Sequence, residues 1–130
     1  MKATELMIGD LVCLKDDTKY ELPLKVDGII EDDISLEGDG FLGGIDGLIR
    51  PIPLTPEILE KNGFIKVNSQ RYDYGSPDND CYVKVNPKKN MIHVNGRNAN
   101  SNLYSHSFIH ELQRALRLCG LDELADNFKV

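Results

Sequence analysis

Two histidines four residues apart, His106 and His110, followed by Glu111, are the first pattern in this chain that could do chemistry. On a helix that spacing puts two imidazoles on one side, within reach of one metal ion. His93, the third histidine, falls on an expected strand that could supply another ligand. However, His106 precedes the expected helix start. The zinc-protease pattern also requires a second histidine where Gln113-Arg114 stands. A solvated or capping role is therefore expected for these histidines, and no metal or cofactor is assigned.

Other chemistries meet similar obstacles. Carboxylates gather around glycines from Glu37 to Asp46, but Phe41, Leu42 and Ile45 occupy positions where a calcium loop needs oxygen ligands. No GxxxxGK[ST] pattern exists, and the acids there would repel phosphate. No serine stands in a nucleophile elbow, and no cysteine–histidine pairing follows from spacing. Cys13, Cys81 and Cys119 are an odd set without CxxC spacing, and each reads as a reduced, buried thiol. No catalytic residue is assigned.

Residues 64–106 have a different character. They hold Lys66, Arg71, Lys84, Lys88, Lys89 and Arg97 against Asp73, Asp78 and Asp80, with Tyr72, Tyr74, Tyr82 and Tyr104 interleaved. Basic side chains and aromatics on one sheet face could follow a single-stranded nucleic acid and stack its bases. Tyrosines are equally at home in protein interfaces. The candidate binding surface is Tyr72, Tyr74, Tyr82, Lys84, Lys88 and His93.

The elements that must position these residues follow from local pattern. Residues 5–15 turn at Gly9-Asp10 and continue as a strand that is apolar on both faces. Residues 22–30 form a second strand with Gly28 as a candidate bulge, and 34–36 a third. Five glycines between Gly38 and Gly47 predict a mobile loop, and Leu48 to Ile52 a last strand. In the segment Ile52 to Phe64, Thr55 can cap a helix, Pro56 suits its first position and Gly63 the left-handed position past its end. Cys81–Val85 and Met91–Val94 predict a hairpin around Asn86-Pro87-Lys88-Lys89-Asn90, with Pro87 starting the turn and Asn90 left-handed. That register pairs Val85 with Ile92 and Val83 with Val94, and sets Lys84 opposite His93 beside Tyr82 on the outward face. Residues 95–102 read as an exposed loop. Ser107 can cap a helix whose stripe is Phe108, Leu112, Ala115, Leu116 and Cys119. Gly120 stops it, and Asp122 can cap a final short helix.

The fold class expected is α+β: an N-terminal small SH3-like β-barrel or meander over 1–53, then a helix, a β-hairpin and C-terminal helices over 54–130. Charge divides along the chain. Residues 1–50 carry five Lys/Arg against twelve Asp/Glu, a net of −7, whereas 51–130 carry ten against nine, a net of +1. An acidic first half disfavours nucleic acid there. No apolar run reaches the roughly 18 residues of a membrane span, and the first residues lack a secretory pattern. A cytoplasmic protein without a membrane partner is expected.

Three pieces, TELMIGDLV, IRPIPLTPEILEKNGF and HSFIHELQRALRLCGLDEL, resemble small proteins encoded by phages and mobile elements of anaerobic gut bacteria. The resemblance implies an accessory protein and brings no activity or site residue with it. Together, these readings favour a non-enzymatic, protein-binding adaptor module, and a homodimer is compatible with them. The alternatives are a nucleic-acid-binding accessory protein using the basic, tyrosine-bearing face, and an enzyme or metal protein using His93, His106 and His110.

Overall fold

The computed structural model describes residues 6–14, 23–30, 33–36, 40–42, 49–75, 81–96, 100–104 and 107–130. The chain divides into two units, Met1–Ile52 and Pro53–Val130. Each has its own five-stranded antiparallel sheet.

In the first unit the strands are β1 (Leu11–Leu14), β2 (Pro23–Ile30), β3 (Asp33–Leu36), β4 (Gly40–Leu42) and β5 (Ile49–Pro51), in the order β4-β3-β2-β1-β5. Leu11, Val12 and Cys13 are all buried, as a strand apolar on both faces requires. Val12, Val26, Ile34 and Leu36 form a core with Leu6, and Leu24 and Ile29 pack on it. The register of β2 breaks between Val26 and Gly28, which is the expected bulge. Its first half pairs with β1 and its second with β3.

Two expectations change here. Gly40–Leu42, read as loop, pairs with Leu36, Ser35 and Ile34. The free edge of β3 supplies a backbone ladder that does not depend on the glycine side chain. The remaining glycine-rich residues, 37–39 and 43–48, lie outside the described residues. Second, β4 and β5 are the two ends of the strand order, and the sheet is not a closed barrel among the described residues.

The second unit opens with helix α1 (Pro56–Lys61). Thr55 Oγ1 accepts a hydrogen bond from the Ile58 N–H at 3.2 Å, and Pro56 takes the first turn. Strands β6 (Ile65–Lys66), β7 (Tyr72–Gly75), β8 (Tyr82–Asn86), β9 (Met91–Asn95) and β10 (Asn100–Tyr104) follow, in the order β10-β9-β8-β7-β6. The hairpin register is the predicted one, with Val83 opposite Val94, Lys84 opposite His93 and Val85 opposite Ile92. A 3-10 turn at Pro87–Lys89 makes the connection, Asn86 Oδ1 accepts from the Lys89 N–H, and Asn90 is left-handed at φ 52°. The segment read as an exposed loop contributes β10, which pairs with β9 from Asn100–Asn95 to Tyr104–Met91. Main-chain pairing is indifferent to side-chain polarity, so an Asn/Ser-rich edge strand escapes a reading based on hydrophobicity.

Helices α2 (Ile109–Leu118) and α3 (Asp122–Asp126) complete the unit. Of the expected stripe, Leu112, Ala115, Leu116 and Cys119 are buried together with Ile109, whereas Phe108 is half-buried and precedes the helix. The stripe lies along β9, above the row Val83, Val85, Ile92 and Val94, which is at most 1% exposed. The caps differ from expectation. Phe108 is the α2 N-cap, and its N–H donates to Glu111 Oε1 at 3.2 Å. Ser107 instead ties to the hairpin turn, its Oγ meeting Pro87 O at 3.0 Å and Asn90 Oδ1 at 2.9 Å. Leu121 is the α3 N-cap, and Asp122 is the first helical residue.

Buried amides close the unit. The Asn62 Nδ2 donates to Ile58 O at 2.7 Å and Lys129 O at 2.8 Å, and its Oδ1 accepts from the Lys129 N–H at 2.8 Å. The Gln113 Nε2 donates to Ala125 O at 2.9 Å. Asn62→Ala deletes the first set and strands main-chain groups. It should destabilise the protein by roughly 2–3 kcal/mol, read from the denaturant midpoint. Gly75 and Gly120 both have positive φ, 79° and 80°, but a Cβ at Gly75 would run into the Cys81 carbonyl oxygen while one at Gly120 meets open space. Gly120→Ala should cost about 1 kcal/mol and Gly75→Ala clearly more, in the same measurement.

Candidate functional site

Side chains alternate across β7, β8 and β9, so the unit's sheet has an inner row under α2 and an opposite row. Tyr72 and Tyr74 stand opposite Val85 and Val83 and belong to the inner row. Tyr72 is buried, and the half-buried Tyr74 ring packs against Phe64 with centroids 5.4 Å apart. The opposite row carries Asp73, Tyr82, Lys84 and His93, with Asp73 facing Lys84 and Lys84 facing His93. The six expected binding residues therefore do not share one face. Tyr82, Lys84 and His93 come together, Lys88 stands exposed on the adjoining 3-10 turn, and Tyr72 and Tyr74 turn away.

The centre of the opposite row is a carboxylate. Asp73, 9% exposed, takes a two-pronged ion pair from Arg71, with Nε to Oδ1 and Nη2 to Oδ2 both at 3.0 Å. The Tyr82 hydroxyl donates to Oδ2 at 2.6 Å. The Lys84 ammonium lies over the Tyr82 ring, 5.1 Å from its centroid, which is within cation–π range. Arg71, Lys84, Asn86, Met91 and His93 line a cleft of about 380 Å³ beside this cluster. Because Asp73 is neutralised by Arg71, the charge left at the cleft among the described residues is the cationic Lys84, with Lys88 and Lys89 exposed on the adjoining turn. A site of this kind attracts anions, and its buried Tyr82 ring offers no open stacking surface.

Arg71 and Asp73 are the residues that sequence reasoning left out of the site. Their signal was available: two residues apart on a strand, they must share a face, and one more strand of register brings that face beside Tyr82 and Lys84. His110 is also corrected. It is 5% exposed and not solvated, with its ring stacked on Phe108 at 5.9 Å. His106 lies outside the described residues, so the histidine pair is not placed. Among the described residues, no group of three or more His, Cys, Asp or Glu is arranged to hold a metal ion. No described helix is long and apolar enough to cross a membrane. No protein-family model matches the chain, and no curated protein or solved structure matches it either.

Burial, and after it the hydrogen bond and charge of Asp73, push the Tyr82 phenol above its ordinary 10.0, with Arg71 partly opposing. The folded chain thus holds this proton more tightly than the unfolded chain. The stability it contributes is complete below pH 10.0 and is lost as the pH rises through the folded value. Tyr82→Phe should flatten this alkaline loss of stability. Asp73→Asn should lower the titration midpoint of the phenol, followed by tyrosinate absorbance.

Proposed function

We propose that this chain is a non-enzymatic, protein-binding adaptor module that captures an acidic segment of a partner protein in the cleft beside Asp73. The observation that carries the reading is the pairing of Asp73 with Arg71 and Tyr82, which among the described residues leaves Lys84 as the charge of the cleft, with Lys88 and Lys89 exposed on the adjoining turn. Met91 and the Lys84 stem add apolar contact beside those cations, which suits a peptide carrying carboxylates among hydrophobic residues. The burial of Tyr72 and Tyr82 favours this reading over single-stranded nucleic acid, which needs open aromatic faces. In this reading the protein is a cytoplasmic accessory factor of a phage or mobile element, as the sequence resemblance implies. Its first unit would be a small SH3-like domain. The strand order with β5 beside β1, and a bulged β2 shared between β1 and β3, support that assignment.

Charge reversal tests the proposal. Lys84→Glu combined with Lys88→Glu should weaken binding of a labelled acidic peptide about tenfold or more. It should also abolish recovery of a nuclease-resistant protein partner in a pull-down from host lysate. Equal recovery by both proteins, or recovery that nuclease removes, would overturn it.

A further inference from the structure

The two cysteines of the second unit meet at one end of the β8–β9 pair. The Cys81 thiol contacts the Cys119 carbonyl oxygen at 2.6 Å. A carbonyl oxygen stands about 2.4 Å from its own Cα, so the Cys81 sulfur lies within about 5 Å of the Cys119 Cα. The Cys119 sulfur lies toward the same strand ends. The main-chain N–H groups of Tyr82 and Asn95 face the Cys119 sulfur, and the Tyr82 nitrogen is bonded directly to residue 81. Nothing intrudes from Gly96. Its missing Cβ would sit 3.2 Å from the Cys119 Cα and 3.6 Å from its sulfur. The Cys81 thiol thus rests on the Cys119 backbone and the Cys119 thiol on the main chain next to Cys81, and a rotation about the Cys119 side chain is the kind of motion that brings two sulfurs to bonding distance.

We propose that Cys81 and Cys119 are an oxidisable thiol pair that closes reversibly to a disulfide between the start of β8 and the end of α2. The inference is independent of the binding reading. Cys81 is half-buried whereas Cys119 is 4% exposed, so an oxidant reaches Cys81 first. Burial, and after it the neighbouring Cys81, pushes the Cys119 thiol up, which disfavours its thiolate. With a peroxide as oxidant, the Cys81 sulfur attacks one oxygen and the O–O bond breaks. Cys81 becomes a sulfenic acid and the other oxygen leaves as water. The Cys119 sulfur then attacks the Cys81 sulfur, the S–O bond breaks, and the hydroxyl departs as water with the Cys119 proton. Two thiols have lost two electrons, and one peroxide has become two waters.

The Cys13→Ser protein, treated with hydrogen peroxide and separately with oxidised glutathione, tests this. Both remaining thiols should disappear together, and the intact mass should fall by two hydrogens. One bridged peptide should join Cys81 to Cys119, dithiothreitol should restore both thiols, and the Tm should be higher before that reduction than after it. Peroxide that carries Cys81 to the sulfinic acid while Cys119 still titrates as a thiol would overturn the proposal. So would a stable glutathione adduct on Cys81. Should Cys13→Ser not fold, the peptide map of the oxidised natural chain decides the same question, because a Cys81–Cys119 bridge and a Cys13 product have different masses.

Discussion

The period of two along β7, β8 and β9 is the constraint on which the second unit depends. Val83, Val85, Ile92 and Val94 are essentially without solvent exposure, and burying each stabilises the fold by roughly 1.5–3 kcal/mol. A one-residue slip of β8 would turn Val83 and Val85 outward and drive Lys84 into the apolar layer. The register therefore cannot drift, and Lys84, His93, Tyr82 and Asp73 are held together on the other face. The proposed site is the complement of the core: its residues gather there because the valines are committed elsewhere.

Asp73 turns that gathering into a defined charge pattern. A carboxylate this buried must be paired, because an isolated one would cost several kcal/mol in lost hydration. Arg71 supplies the charge and Tyr82 a hydrogen bond, and both side chains are thereby oriented. The pairing consumes the negative charge and leaves lysines beside the cleft. The same hydrogen bond anchors the ring over which Lys84 lies, so the positions of Asp73, Tyr82 and Lys84 are coupled.

Closure at the other end of the unit uses polar side chains in an apolar setting. Asn62 joins the end of α1 to Lys129, and Gln113 joins α2 to α3. Both are buried, and both work by satisfying main-chain groups left over where short helices end. The close approach of Cys119 to Gly96 belongs to the same closure, since a Cβ at 96 would sit 3.2 Å from the Cys119 Cα, tighter than an ordinary contact.

Local chemistry was legible in the sequence wherever the interactions themselves are local. Thr55, Pro56 and Gly63 define α1 within nine residues of chain, and the hairpin register followed from alternation and from Asn90. What escaped depends on partners distant in sequence. Gly40–Leu42 and Asn100–Tyr104 are strands because β3 and β9 offer them free edges, and nothing in their own composition announces it. Ser107 looked like a cap, but the chain's path past the hairpin turn gave it Pro87 and Asn90 as partners. Tyr72 and Tyr74 looked like binding aromatics because they are interleaved with basic residues, yet which face they take is settled only when β7 pairs with β8. The sequence by itself determined the α1 link, the hairpin and the stripe of α2, because caps, turns and periodicity act over a few residues. The tertiary structure alone decided the pairing of Asp73 with Arg71 and Tyr82, the burial of His110 and the meeting of Cys81 with Cys119. Those contacts exist only once strands and helices far apart in the chain have closed on one core.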